Sequence, residues 1–103
     1  MSEKLSKLQA MLEKQPNDPF LLYGIAMEYK KMNEPTKAIA FLDRCIAADR
    51  NYCYAYFQRG QICETTGDLD AAKRSYNDGI AAAKRAGDAH AQSEIEGALQ
   101  TLE

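Results

Sequence analysis

The chain has 103 residues, a formal net charge of -2 and 46% hydrophobic residues. This length allows one small domain with a modest core. The near-neutral charge argues against nucleic-acid binding, which needs a basic surface, and no apolar run approaches the ~20 residues of a membrane span. We therefore expect a single domain whose partners are neither nucleic acid nor membrane.

Cysteine usage and the N-terminus predict the compartment. Cys45, Cys53 and Cys63 are odd in number and form no C-x-x-C pair. We expect three reduced thiols, at least two of them in the core, rather than a disulfide framework or a zinc site. Residues 1–5 lack the apolar run of a signal peptide. These features together predict a cytoplasmic protein without metal or other cofactor.

The first half of the chain predicts three helices, each with a recognisable start or end. They run from Ser2 to about Gln15, from Pro19 to Met32, and from Pro35 to about Asp49. Ser2 and Asp18 are suited to cap helix N-termini, and proline is favoured at the first helical position. Pro16 ends the first helix, and Asn33 suits the left-handed conformation that ends the second.

The second half predicts three more helices. They run from about Tyr52 to Thr66, from the cap Asp68 to about Ala86, and from about Ala89 onward. Gly67 and Gly87 end the fourth and fifth helices, since glycine has no Cβ to oppose a left-handed backbone. Asp88 caps the last helix. No strand pattern is present, and connections of two to four residues predict that consecutive helices lie antiparallel.

Similar side chains return at a spacing of 34 residues. The spacing pairs Phe20 with Tyr54, Tyr23 with Phe57, Ala26 with Gly60, Asn33-Glu34 with Gly67-Asp68, Ala38 with Ala72, Leu42 with Tyr76, and Ile46 with Ile80. A fixed period in this range is typical of stacked helical hairpins, each of which buries its apolar face against its neighbours. Such proteins usually present a surface to a partner rather than catalyse a reaction.

The repeated pattern resembles the tetratricopeptide repeat family. One copy reads Leu22-x-x-Ile25-Ala26-x-x-Tyr29 and then Ala38-x-x-x-Leu42; the next reads Tyr56-x-x-Arg59-Gly60-x-x-Cys63 and then Ala72-x-x-x-Tyr76. Small residues at 26, 38, 60 and 72 allow the two helices of a hairpin to approach closely. The resemblance implies an all-α, right-handed α-α superhelix in which residues 19–52 and 53–86 form two full repeats.

The remaining segments extend this pattern. Leu8, Met11, Leu12 and Pro16 lie one period before Leu42, Cys45, Ile46 and Arg50. Residues 1–16 therefore resemble the second helix of a preceding repeat, with Lys4 where the pattern has alanine. Residues 88–103 resemble a capping helix whose apolar stripe is Ile95, Ala98, Leu99 and Leu102. Arg50 and Lys84 replace the family's late prolines, which predicts a long fifth helix. Arg59 replaces an apolar residue, so we expect its aliphatic stem to lie along the core and its guanidinium to lie at the surface.

The resemblance also implies a binding surface. In the family, the concave groove is lined by the first helices of the repeats. The residues that it assigns to partner binding here are Phe20, Tyr23, Met27, Lys30, Lys31, Tyr54, Phe57, Gln61 and Glu64. Aromatic side chains and methionine suit a peptide or helix of another protein. The alternative is that these rings only fill space between adjacent helices. Replacing Tyr23 and Phe57 together by alanine then separates the two: loss of binding by ~2 kcal/mol without unfolding indicates an open groove.

The predicted function is therefore non-catalytic protein–protein binding, as a small adaptor. The alternative is self-association into a homodimer, through the aromatic groove or the exposed face of the first helix. One family subset holds chaperone C-terminal carboxylates, but Tyr23 and Met27 occupy the positions of its lysine and asparagine. We predict no enzyme activity, because His90 is the one histidine and no catalytic or metal-binding motif accompanies it.

Overall fold

The computed structural model describes residues 2–103, and all regular structure in that range is helical. The helices are α1 (Glu3–Lys14), α2 (Pro19–Lys31), α3 (Pro35–Ala48), α4 (Cys53–Thr65), α5 (Leu69–Ala86) and α6 (Ala89–Gln100). The predicted all-α fold is confirmed, and each predicted helix boundary lies within about one residue of the observed one.

Local side-chain and backbone chemistry sets the helix ends, as predicted. Four capping side chains accept hydrogen bonds from first-turn amides: Ser2, Asp18, Asp68 and Asp88. Asn33, Gly67 and Gly87 have positive φ angles of 57°, 86° and 66°. The residue after each of these donates its backbone N–H to a carbonyl in the last turn of the preceding helix, at 2.9 or 3.0 Å. This Schellman arrangement satisfies carbonyls that the helix itself leaves open.

The chain divides into two compact units, of which the first contains the residues up to Asp49. In this N-terminal unit α2 packs against both α1 and α3. The side chains that form its core are Leu5, Leu22, Ile25, Ala26, Ala38, Leu42 and Cys45, all at most 1% exposed. Three of the four residues of the repeat pattern on α2 are therefore buried, and the fourth, Tyr29, is half-buried. Met11, which the repeat pattern pairs with the buried Cys45, is instead 51% exposed.

The C-terminal unit, Arg50–Glu103, is built around α5, which packs against α4 and α6. At Gly60 the backbone of α4 approaches Tyr76 so closely that a Cβ would lie 2.3 Å from the ring. Gly79 of α5 is similarly close to Tyr56, with 2.9 Å between its ideal Cβ and the Tyr56 Cβ. The predicted close approach at residue 60 is therefore confirmed, and Gly79 adds a second one. The predicted length of the fifth helix also holds, since α5 has 18 residues.

Most of the Arg59 side chain is buried. Its Nε donates to Ser75 Oγ at 3.0 Å, and its guanidinium lies over the Tyr56 ring at 5.4 Å from the centroid. Only 20% of the side chain is exposed, and Asp78 lies 3.7 Å away at the rim. The head group thus reaches the exposed Asp78, as expected of a group at the surface, while Ser75 supplies a buried acceptor and Tyr56 supplies a ring face for the rest of the side chain.

Glu28 is a buried residue whose carboxylate links the start of α1 to the end of α2. It is 4% exposed, and its carboxylate accepts a hydrogen bond from Ser2 Oγ at 3.2 Å. Lys31 and Lys4 lie 2.9 and 3.7 Å from the same carboxylate. The hydrogen bond from Lys31 lowers the pKa of Glu28 and outweighs the opposing effect of burial, and Ser2 and Lys4 lower it further.

This arrangement predicts an acid-sensitive N-terminal unit. Because the folded-state pKa of Glu28 lies below its ordinary value of 4.5, the carboxylate stabilises the fold above that pH. The stabilisation is lost as the pH falls through the lower, folded-state pKa. We expect Glu28→Gln to melt below wild type at about pH 7, and the difference to shrink toward about pH 3. Thermal melts monitored by circular dichroism measure this. A difference that is constant with pH would contradict the role of the ionised carboxylate.

Candidate partner-binding surface

The α2 stripe consists of the predicted binding residues Phe20, Tyr23, Met27, Lys30 and Lys31. Asp18 and Pro19 fix the start of α2, so these residues recur at helical spacing on the side that the buried residues of α2 leave uncovered. Phe20 is 70% exposed, the largest exposure among the large hydrophobic residues described. Tyr23, Met27 and Lys30 are half-buried, and Lys31 is exposed. The stripe is thus apolar at its first turns and basic at its last.

The charge on Lys31 is already partly compensated. Its Nζ lies 2.9 Å from the Glu28 carboxylate, although 66% of the lysine side chain remains exposed. Because the Glu28 carboxylate is buried, an acidic ligand has to compete with it for the Lys31 ammonium. The basic end of the α2 stripe therefore carries a charge whose present partner belongs to the same helix.

The α4 stripe consists of Tyr54, Phe57, Gln61 and Glu64, all half-buried. Tyr54 donates its hydroxyl to Glu94 Oε1 of α6 at 2.6 Å, and its ring meets Phe57 edge-on at 6.3 Å between centroids. The hydrogen bond to Glu94, aided by burial, raises the pKa of Tyr54 to about 12. His90 Nε2 lies 2.9 Å from the same Glu94 oxygen. The first turn of the α4 stripe is therefore held by α6.

The middle and end of the α4 stripe are held by α5. The Phe57 ring lies 6.1 Å from the ring of the fully buried Tyr76. Tyr76 donates its hydroxyl to the Glu64 carboxylate. Burial, together with this hydrogen bond to Glu64, raises the pKa of Tyr76 well above its ordinary value. Tyr54, Phe57 and Glu64 thus contribute to packing within the C-terminal unit, whereas Phe20 presents an exposed ring. Helical spacing alone gives no signal that separates these two situations.

The cysteine side chains are reduced and buried. Cys45, Cys53 and Cys63 are thiols, and Cys45 Sγ donates to the Pro19 carbonyl at 3.3 Å. Burial, with a smaller contribution from Asp49, raises the pKa of Cys45 to about 12. Across residues 2–103 no three His, Cys, Asp or Glu side chains are grouped as metal ligands. No helix in the same range combines the length and apolarity needed to cross a bilayer.

Comparison with known proteins identifies the family. The sequence profile of the tetratricopeptide repeat matches residues 21–52 and 54–85. The TPR repeat-containing protein PA0015 of Pseudomonas aeruginosa is 28% identical over 96 residues, which cover 93% of this chain and 91% of that protein.

Solved structures agree with this match. A tetratricopeptide repeat domain protein from Salinibacter ruber has a TM-score of 0.80 at 30% identity, over 85% of this chain and 89% of that chain. PcrH in complex with the chaperone binding region of PopD has a TM-score of 0.88 over 95% of this chain and 74% of that chain, and its 16% identity shows a likeness of fold alone. The predicted helical-repeat fold is confirmed, and the chain belongs to the tetratricopeptide repeat family.

Proposed function

We propose that this chain is a non-catalytic binding module that holds a peptide or helix of a partner protein through the α2 stripe. Tetratricopeptide repeats generally mediate protein–protein interactions, and PcrH is solved in complex with the chaperone binding region of PopD. The observation that carries the proposal is the 70% exposure of Phe20, at the start of a helical face that also includes Tyr23 and Met27.

The chemistry of the α2 stripe favours a particular kind of ligand. An aromatic side chain buries about 150–250 Å² when it is fully covered, and it loses little conformational entropy on binding. Met27 adapts to irregular apolar shapes. Lys30 and Lys31 follow at the end of the helix. We therefore propose an apolar ligand segment with an acidic residue at one end, bound in the cytoplasm. The three reduced thiols support that compartment.

Replacing Phe20 by alanine is expected to weaken partner binding about tenfold, which corresponds to about 1.4 kcal/mol. The substitution removes an exposed ring, so we expect the fold to be unaffected. Immobilised wild-type chain first captures partners from an extract of its own cells. The captured protein is then purified and titrated against wild type and Phe20→Ala by calorimetry.

Leu69→Ala is the matched control. Leu69 is 50% exposed at the start of α5 and belongs to neither stripe, so the variant also removes an exposed apolar side chain. We expect it to bind as wild type does. Equal affinity of all three chains would overturn the role of the α2 stripe. If Phe20→Ala instead changes the sedimentation of the chain alone, the stripe serves self-association, which was the alternative function.

A further inference from the structure

The outer face of α1 exposes side chains at two positions whose counterparts one period later are buried. This outer face comprises Lys4, Lys7, Met11 and Lys14, which recur at steps of three and four residues and are all exposed. One period later, Ala38 and Cys45 of α3 correspond to Lys4 and Met11, and both are fully buried in the N-terminal unit. Leu5, Leu8 and Gln9 of α1 face α2 instead. Within residues 2–103, the face with which a second helix contacts its first helix is therefore exposed on α1, apart from the ion pair of Lys4 with Glu28 at 3.7 Å.

The C-terminal unit has a complementary feature, a surface depression between α5 and α6. Ile80 of α5 and Gly97 and Leu99 of α6 line it, and Glu96 and Glu103 lie around it. α6 packs on α5 and also contacts α4, so it holds the place of a first helix in a further repeat. Within residues 2–103 no second helix follows it. The depression lies along the two helices on which that second helix would pack.

Gly97 supports this interpretation. Glycine inside a helix costs about 1 kcal/mol relative to alanine, so an interior glycine usually reflects a close contact. On α4, Gly60 meets that expectation, because Tyr76 of the following helix fills the space where its Cβ would be. On α6, a Cβ at Gly97 would have no atom within 4 Å. Gly97 thus allows a close approach to α6 that no described residue makes.

We infer that copies of this chain associate head to tail, with the outer face of α1 of one copy in the depression between α5 and α6 of the next. The helix that α1 supplies to the depression is itself a second helix of the same repeat type. The charges also match, because Glu96 and Glu103 line the depression together with no lysine or arginine, whereas the outer face of α1 carries three lysines. Two of these lysines, Lys4 and Lys7, have ion pairs with Glu28 and Glu3 but stay largely exposed. Such a contact joins two different surfaces, so a bound pair still has one free surface of each kind.

Sedimentation of the full chain over a concentration series tests the inference. We expect wild type to form species larger than one chain as concentration rises. Salt is expected to weaken them, because the charges at the contact are exposed when the copies separate. Met11→Glu places a carboxylate against the glutamates of the depression, and Gly97→Gln fills the space at the helix surface. Each variant alone is expected to raise the dissociation constant at least tenfold.

Mixing the two variants gives the decisive measurement. Met11→Glu retains the depression and Gly97→Gln retains the outer face of α1, so an equimolar mixture is expected to form a dimer and nothing larger. Ala40→Gln, at an exposed position of α3, is the control and should associate as wild type does. A wild type that stays monomeric at every concentration, or a mixture that stays monomeric, would overturn the inference. So would a Gly97→Gln chain that associates as wild type does while its circular dichroism spectrum is native.

Discussion

Replacing Gly60 by alanine is expected to lower the free energy of unfolding of the C-terminal unit by about 3 kcal/mol. The added methyl group would lie 2.3 Å from Cε1 of Tyr76, far inside van der Waals contact. Tyr76 is fully buried, so its ring has no free space into which to move. The backbones of α4 and α5 must separate instead, which opens gaps elsewhere along their interface. Urea unfolding followed by circular dichroism measures the loss.

Gly97→Ala is the matched control for this experiment. It makes the same chemical change inside a helix, in the last turn of α6, but no atom lies within 4 Å of the new Cβ. Only the helix propensity changes, so we expect a gain of about 0.5–1 kcal/mol. The two glycines should therefore give opposite signs. If both variants unfold at the same urea concentration, the close approach of α4 to Tyr76 is wrong.

Glu64→Ala is expected to cost about 2 kcal/mol of stability, although the sequence assigns Glu64 to partner binding. Glu64 accepts the hydroxyl of Tyr76, whose side chain has no exposure to water. Removing the carboxylate leaves that hydroxyl buried without its acceptor, and an unsatisfied buried donor costs more than a hydrogen bond contributes. Chemical denaturation of the single variant measures this cost.

A double-mutant cycle with Tyr76→Phe isolates the interaction. Tyr76→Phe removes the donor and keeps the ring that packs against Phe57. In that background Glu64→Ala should cost much less than in wild type, because no orphaned hydroxyl remains. Additive losses would show that Glu64 stabilises the unit by some other contact. A large loss of partner affinity in Glu64→Ala without any loss of stability would place Glu64 at the binding surface instead.

The helices and their ends were predictable because their causes are local. Ser2, Asp18, Asn33 and Gly67 act on backbone groups within a few residues, so the signal and its effect lie together in the sequence. The hairpin contacts were predictable for a related reason. The 34-residue period repeats the same close approach, as at Gly60, and a repeated pattern is visible without coordinates.

The state of individual polar and aromatic side chains was not predictable in the same way. Arg59 and Ser75 are 16 residues apart, and Tyr54 and Glu94 are 40 apart, so no periodic pattern joins them. Glu28 lies three residues before Lys31, which is the spacing of an ordinary ion pair on a helix surface. Only the folded backbone brings Ser2 and Lys4 close to the Glu28 carboxylate. Phe20 and Phe57 likewise read as equivalent binding residues, but Phe57 has aromatic neighbours on both α4 and α5.

The distribution of cysteines gives this protein a reporter in each of its two units. Cys45 lies in the first unit, and Cys53 and Cys63 lie in the second. With a pKa near 12 and no access to solvent, Cys45 holds essentially no thiolate at neutral pH while the helices stay closed. An alkylating reagent therefore reaches it only during opening events. Peptide mapping of the labelled cysteines would measure how often each unit opens locally, without any introduced probe.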